Sequence, residues 1–203
     1  MSVETLAKRA AASSSPGPIT RLALAHDGST TRFLTYLLGQ RLHVRVISQR
    51  RRPAIAVLPP VARAQFHPAA GQFAIARRSQ LVRSDGSAVS SNRVVMVNHP
   101  VVNEVVHGGS TPLGLVLRDG GIEQRRQILQ YGARRQAWAP DAENLLSPCR
   151  SYVIMISGNP VFYIEETFHP DVIPADGLPL VHLSAGDKLA ALDDFLDQRL
   201  MAS

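Results

Sequence analysis

The chain has 203 residues, a net charge of +6, a pI near 10.2 and one cysteine, and it is 45% hydrophobic but only 5% aromatic. This length suits one domain with an aliphatic core, and the composition argues against disorder throughout. A single cysteine, Cys149, excludes an internal disulfide and any multi-cysteine zinc or iron–sulfur site, so Cys149 receives no role and a cytoplasmic location is the simpler interpretation.

The first part of the chain contains a polar tail and one helix signal. Residues 1–18 lack the apolar centre of a secretory signal and are interpreted as a flexible tail before a single domain over residues 19–203. Residues 19–25 form a short apolar run, which is taken as the first strand. Capping residues at 27–30 then predict a helix that ends at Gly39.

The next part is divided by alternation and by proline. Residues 42–48 alternate and predict a half-buried strand. The proline-rich residues 53–68 are predicted to be a loop across an edge of the sheet, because proline removes a ladder donor. Residues 73–83 and 89–97 flank the turn signal of residues 84–87, Ser-Asp-Gly-Ser, and predict a β-hairpin.

The second half contains helix signals and a second hairpin. Short helices are predicted at residues 101–107 and from Leu113 onwards. After Gly120-Gly121, the seven-residue spacing of Ile122 and Leu129 is typical of a helix with Arg125 and Arg126 on its solvated side. Two apolar runs, residues 151–156 and 161–168, flank a Ser-Gly-Asn-Pro turn and predict a hairpin. Leucines at spacings of three and four predict a terminal helix at residues 184–200. Sequential strand pairs favour an α+β fold, an antiparallel β-sheet with helices packed on it.

The positive charge would suit nucleic acid, an acidic membrane or a small anionic substrate. The densest basic run, residues 49–53, lacks aromatic residues for base stacking and is interpreted as a solvated strand end. No stretch reaches the roughly 18 apolar residues of a membrane helix. Dinucleotide, Walker, nucleophile-elbow and paired-histidine metal motifs are absent from the sequence. We therefore expect a small-molecule substrate, no nucleic-acid partner, no membrane span and no metal, with monomer and dimer both left open.

Four segments resemble, in order and spacing, the chorismate pyruvate-lyase family, including its mycobacterial-type branch. They are Asp-Gly-Ser-Thr-Thr-Arg at 27–32, Arg-Ser-Gln-Leu-Val at 78–82 with Asp-Gly at 85–86, Thr-Pro-Leu-Gly at 111–114 with Gly-Ile-Glu at 121–123, and Ser-Gly-Asn-Pro at 157–160 leading into Glu-Glu-Thr-Phe-His-Pro at 165–170. The resemblance implies a small antiparallel sheet whose helical flaps close over an internal ligand site. It also implies cleavage of chorismate to 4-hydroxybenzoate and pyruvate without a cofactor, for a quinone, glycolipid or other secondary pathway.

The resemblance also implies roles for individual residues. Arg78 corresponds to the family's carboxylate-binding arginine, and a guanidinium offers the planar fork of donors that this task needs. Leu113, with Gly114 beside it, corresponds to the position whose backbone N–H meets the ring carboxylate. Glu166 corresponds to the glutamate that faces the ring oxygen destined to be the phenol. Its burial is expected to raise its pKa.

Other positions leave alternatives open. Strand alternation gives only one of the pair Glu165 and Glu166 to the pocket, and the spacing to the following Phe and Pro favours Glu166. Thr30 stands where the enteric-type family members carry an apolar residue lining the ligand, which leaves room for an enzyme that makes another chorismate-derived benzoate. Arg93 is a weaker candidate for a second positive charge.

A noncatalytic alternative also stays open. The fold resembles the effector-sensing domain of some bacterial transcription regulators, which would make the chain a module that binds a small carboxylate. Such sensors usually follow a DNA-binding domain, and only about 18 residues precede the first predicted element. We therefore expect the enzyme.

Overall fold

The structure, a computed structural model, describes residues 15–97, 99–107, 111–139 and 142–181. The terminal helix predicted at residues 184–200 and most of the predicted N-terminal tail lie outside these ranges. The described residues form one sheet of order β1-β2-β3-β6-β5-β4, in which every neighbouring pair is antiparallel. Its strands are β1 His43–Pro53, β2 Phe73–Val82, β3 Ala88–Val97, β4 Gln124–Gln136, β5 Leu145–Ile156 and β6 Asn159–Phe168. The predicted α+β fold is confirmed.

Within the described ranges, six helices accompany this sheet. They are α1 Pro18–Ala25, α2 Thr30–Leu38, α3 Ala54–Val57, α4 Pro60–Phe66, α5 Pro100–His107 and α6 Leu113–Asp119. Helix α2 begins where the capping residues predicted, because the Ser29 side chain accepts a hydrogen bond from the Arg32 N–H. It ends at Gly39, which adopts the left-handed conformation with φ of 63°.

Three segments differ from the sequence predictions. Residues 18–25 form helix α1 rather than a strand, and its buried Thr20, Ala23 and Leu24 follow helical spacing. The proline-rich stretch contains α3 and α4 rather than a continuous loop, since proline is tolerated in the first turn of a helix, where Pro60 lies. Residues 124–136 form the long strand β4, because their pairing with β5 overrides the seven-residue apolar spacing.

Both predicted hairpins are present. In the β2–β3 turn the Asp85 side chain accepts a hydrogen bond from the Ser87 N–H at 2.8 Å, and Gly86 has φ of 83°. In the β5–β6 turn Ser157 and Gly158 have φ of 49° and 79°. Positive φ at both central residues gives the twist that joins two antiparallel strands tightly.

The two faces of the sheet are covered by different helices. On one face, called the cavity face, Val94, Tyr152 and Ile164 meet α5 and α6, and a second apolar cluster packs against α1 and α2. On the opposite face, Val95 and Tyr163 pack against α3 and α4. Consecutive residues of a strand point to opposite faces, so the choice of face decides which polar side chains can share a site.

Candidate active site

An internal cavity lies between the cavity face of the sheet and the starts of helices α2 and α6, with α5 at one side. The charged side chains that line it are Arg77, Arg126 and Glu166. Most of the surface of its wall is apolar, and the aliphatic and methionine side chains that contribute to it are Val44, Leu81, Val94, Met96, Val105, Leu113, Ile154 and Ile164. An apolar chamber with a few convergent charges is typical of a small-molecule site.

Glu166 is the central acidic group of this cavity. Its side chain lies on the cavity face of β6 and the residue is 5% exposed. One carboxylate oxygen accepts hydrogen bonds from Thr30 Oγ1 at 2.9 Å and Arg150 Nε at 2.8 Å, and the other accepts from the Tyr152 hydroxyl at 3.0 Å. Glu165 lies on the opposite face, so alternation assigns the two glutamates as the sequence predicted.

Arg150 is the buried partner of Glu166. It is opposite Glu166 in the β5–β6 ladder and is fully enclosed, with 0% exposure. Its remaining donors reach the carbonyl of His26 at 2.8 Å and the Thr30 hydroxyl at 2.9 Å. Arg150 therefore ties β5 and β6 to the segment between α1 and α2, and it fixes the orientation of the Glu166 carboxylate.

The pKa of Glu166 departs from the prediction. Burial raises the pKa, as expected, but the positive charge of Arg150, the hydrogen bond from Thr30 and the charge of Arg126 together lower it by more. The net direction is downward. Glu166 is therefore a carboxylate at neutral pH, which accepts hydrogen bonds and does not donate a proton.

His26 makes the stability of the fold depend on pH. The centre of its ring lies 5.0 Å from that of the Phe33 ring, in a tilted arrangement, and burial together with the charge of Arg150 lowers the pKa of His26 to about 4. Histidine in the unfolded chain has a pKa of about 6.5. Because the folded pKa lies below the unfolded one, the unfolded chain binds the proton first as the pH falls. We expect the free energy of unfolding to decrease between about pH 6.5 and about pH 4.

Urea unfolding at about pH 7 and about pH 5 measures this effect. His26→Gln should weaken the pH dependence in this interval, whereas His43→Gln, on the exposed edge strand β1, should retain it. An unchanged slope in the His26 variant would contradict the assignment.

The structure places Arg77, and not the predicted Arg78, in the cavity. Arg77 is 4% exposed, lines the cavity and donates a hydrogen bond to the Val105 carbonyl of α5 at 3.2 Å. Arg78 is paired with Arg93 in the β2–β3 ladder and lies on the opposite face. The sequence prediction therefore differs from the structure by one residue: Arg77, and not Arg78, is the arginine of β2 that lines the cavity.

Arg93 also lies away from the cavity. Its guanidinium donates to the Glu165 carboxylate at 2.8 Å and to the Val57 carbonyl of α3. The Tyr163 hydroxyl donates to the same Glu165 oxygen at 3.0 Å. Arg93 therefore takes part in a partly buried ion pair on the opposite face, and the prediction that it supplies charge to the ligand site is not supported by its position.

The remaining predicted residues come together at the cavity. Thr30, Leu113 and Gly114 all line it, Thr30 from the start of α2 and the other two from the start of α6. Gly114 allows the two helix starts to approach closely, because a Cβ atom there would lie 2.9 Å from Ser29 Oγ. The polar Thr30, which departs from the family pattern, holds Glu166 through its hydroxyl.

Sequence reasoning missed four side chains at the site: Arg77, Arg126, Tyr152 and Arg150. A signal existed for Arg150, since a charged residue inside the apolar run of β5 requires a buried partner. Arg126 was missed because residues 122–129 were interpreted as a helix. In the strand β4, Arg125 and Arg126 point to opposite faces, and Arg126 faces the cavity.

Cys149 is a buried free cysteine. Burial raises the pKa of the Cys149 thiol to about 12, so it is not a nucleophile at neutral pH. Among the residues that the structure describes, no cluster of His, Cys, Asp and Glu could hold a metal ion. No helix within the described ranges is long and apolar enough to cross a membrane.

Solved structures with a similar fold include bacterial regulator domains. The ligand-binding domain of a protein from Bordetella bronchiseptica, described as a GntR-family transcriptional regulator, is 16% identical with a TM-score of 0.51, over 64% of this chain and 86% of that one. The effector domain of PhnF from Mycobacterium smegmatis is 13% identical with a TM-score of 0.53, over 77% and 93%. PhnF itself is 13% identical with a TM-score of 0.55, over 73% and 67%.

At these identities the likeness concerns the fold alone. No curated protein matches the chain. A family model does match, the one described as Chorismate pyruvate-lyase Rv2949c-like, and its match extends over residues 24–175. These residues include every strand of the sheet and every side chain that lines the cavity. The chain belongs to the chorismate pyruvate-lyase Rv2949c-like family.

Proposed function

We propose that this protein is a chorismate pyruvate-lyase, which cleaves chorismate into 4-hydroxybenzoate and pyruvate. The observation that carries the proposal is the arrangement of the cavity: an apolar chamber with the Glu166 carboxylate at one position and the Arg77 guanidinium at another. A site that binds a ring with a hydroxyl at one end and a carboxylate at the other needs a hydrogen-bond acceptor for the hydroxyl, such as Glu166, and a cation for the carboxylate, such as Arg77.

The separation of the two groups is set by the sheet. Arg77 is level with Val94 and Ile164 across β3 and β6, whereas Glu166 is level with Asn92 and lies two residues further along β6. Two strand spacings of about 4.8 Å and two residue rises of about 3.4 Å thus separate their backbones. The side chains of both residues line the same cavity from these positions, and we propose that the ring binds between them.

The charges favour an anionic ligand. Arg150 is enclosed behind Glu166 and pairs with its carboxylate, and the cavity wall itself contains two arginines, Arg77 and Arg126, beside this one glutamate. Chorismate carries two carboxylates. In a partly apolar cavity these charge interactions are stronger than in bulk water, and they would hold the ring in one orientation.

The reaction needs little more than this orientation. The bond between a ring carbon and the ether oxygen breaks, and the enolpyruvate that departs takes up a proton to become pyruvate. The neighbouring ring carbon, which bears the hydroxyl, loses its hydrogen as a proton, and the ring becomes aromatic. Glu166, as a carboxylate, would accept a hydrogen bond from that hydroxyl while it becomes a phenol. Its negative charge would stabilise the partial positive charge that develops on the hydroxyl group.

Incubation of the purified protein with chorismate tests the proposal. We expect pyruvate and 4-hydroxybenzoate in equal amounts, measured by a coupled dehydrogenase assay and by chromatography. Early time points and a single-turnover experiment are needed, since members of this family tend to retain their product. Folded protein that forms neither product from fresh chorismate would exclude the activity.

The same experiment separates the two alternatives. A different hydroxybenzoate together with pyruvate would identify an enzyme of the same family with another product. Tight binding of 4-hydroxybenzoate without any turnover would instead identify a noncatalytic module that binds small carboxylates. Chromatography of the reaction and calorimetry with the benzoate distinguish these outcomes.

A further inference from the structure

We infer that Arg126 binds the second carboxylate of the substrate, which belongs to the enolpyruvyl ether, and thereby selects the dicarboxylate substrate over the monocarboxylate product. The inference rests on the proposed function. Arg126 lies on β4, opposite Ile154 of β5, and its side chain borders both the cavity and a shallow outer groove next to α2. Arg126 therefore lies at the boundary between the cavity and the outer groove.

The contacts of Arg126 leave donors for a ligand. Its guanidinium donates to the Gly28 carbonyl and lies 5.4 Å from the centre of the Tyr152 ring. Among the residues that the structure describes, the bond to Gly28 is its one hydrogen bond. A guanidinium has five N–H donors. The contacts with Gly28 and Tyr152 hold its plane, and the other donors are available at the edge of the cavity.

The position of Arg126 fits the shape of chorismate. The Tyr152 ring beside it carries the hydroxyl that donates to Glu166, and Thr30, which also binds Glu166, follows Gly28 by two residues. In chorismate the ether is on the ring carbon next to the one that bears the hydroxyl. A ring whose hydroxyl meets Glu166 therefore has its second carboxylate at the same end, on the side of Arg126 and away from Arg77.

Other arginines nearby are less suited to this role. Arg150 is fully enclosed and directs its donors to Glu166, Thr30 and the carbonyls of Leu24 and His26. Arg32 and Arg118 border the outer groove and not the cavity. Arg126 is thus the cation at the Glu166 end of the cavity that can reach a carboxylate inside it.

The test compares substrate with product in Arg126→Gln. We expect the KM for chorismate to rise about 10- to 100-fold, because a charged hydrogen bond is lost. The dissociation constant for 4-hydroxybenzoate, which lacks the second carboxylate, should change less than about threefold. Arg125→Gln, at the neighbouring exposed position of β4, is the matched control and should alter neither value.

A general loss of structure would weaken both ligands equally, so the ratio of the two constants is the decisive readout. Equal changes for both ligands, or no change for either, would overturn the inference while the wild-type activity stands. Absence of turnover by the wild-type protein would instead refute the proposed function. Arg126→Lys keeps the charge, and its affinity for chorismate is expected to lie between those of the wild type and Arg126→Gln. If Arg126→Gln does not fold, the same two constants are compared in Arg126→Lys.

Discussion

Glu166→Gln is expected to lower kcat for chorismate by about 100-fold or more, because the amide cannot supply the negative charge that stabilises the developing phenol. The change also removes the partner of the buried Arg150. Breaking a buried ion pair can cost about 3–5 kcal/mol, a large share of the 5–15 kcal/mol that stabilises a typical domain. Steady-state kinetics must therefore be accompanied by urea unfolding of the same preparation.

The neighbouring residue supplies a matched control. Glu165→Gln makes the same chemical change one residue away and also removes the partner of an arginine, the partly buried Arg93, but on the opposite face of the sheet. We expect a comparable loss of stability with kcat close to that of the wild type. Equal loss of activity in both variants would mean that ion pairing and stability, and not the chemistry of Glu166, explain the effect.

Arg77→Gln is expected to lower kcat/KM for chorismate by about 10- to 150-fold, since charged hydrogen bonds contribute about 1.5–3 kcal/mol. The loss should fall mainly on KM, and the affinity for 4-hydroxybenzoate should decrease in parallel because the ring carboxylate is present in both molecules. This parallel behaviour separates Arg77 from Arg126, whose loss is expected to affect chorismate alone. Kinetics and benzoate titration measure the two effects.

Arg78→Gln is the matched control for Arg77. The two arginines are adjacent on β2 and point to opposite faces, so the same substitution at Arg78 should leave both constants near the wild-type values. The reverse result, with loss at Arg78 and none at Arg77, would show that the side-chain assignment across β2 is wrong. Thermal unfolding of both variants controls for general destabilisation.

Local chemistry explains which elements could be predicted. The two hairpins have turn residues that impose their own geometry, at Asp85-Gly86 and at Ser157-Gly158. Helix α2 has a serine cap and a glycine stop. By contrast, β4 was not predicted, because two apolar residues seven apart fit either a helix face or a strand. These residues form a strand because they pair with β5, and β5 lies later in the chain, outside the window of residues 122–129 from which the helix was predicted.

The arginine beside Glu166 shows a second limit. Arg150 and Glu166 are sixteen residues apart in the chain and become neighbours only through the register of β5 with β6. Register also sets the direction of the pKa shift. Burial alone raises the pKa of a carboxyl, and it is the arginine opposite that lowers it for Glu166.

By itself, the sequence determined the α+β class, the hairpins, the family resemblance and the choice of Glu166 over Glu165, because these depend on turn chemistry, motif spacing and strand alternation. Only the tertiary structure decided that Arg77, not Arg78, faces the ligand cavity. The distance of an arginine from the Asp-Gly turn gives its place along β2 but not its face. That face is set by tertiary packing, which turns Arg77, Ser79 and Leu81 of β2 towards the cavity and Arg78, opposite Arg93, towards the other side of the sheet.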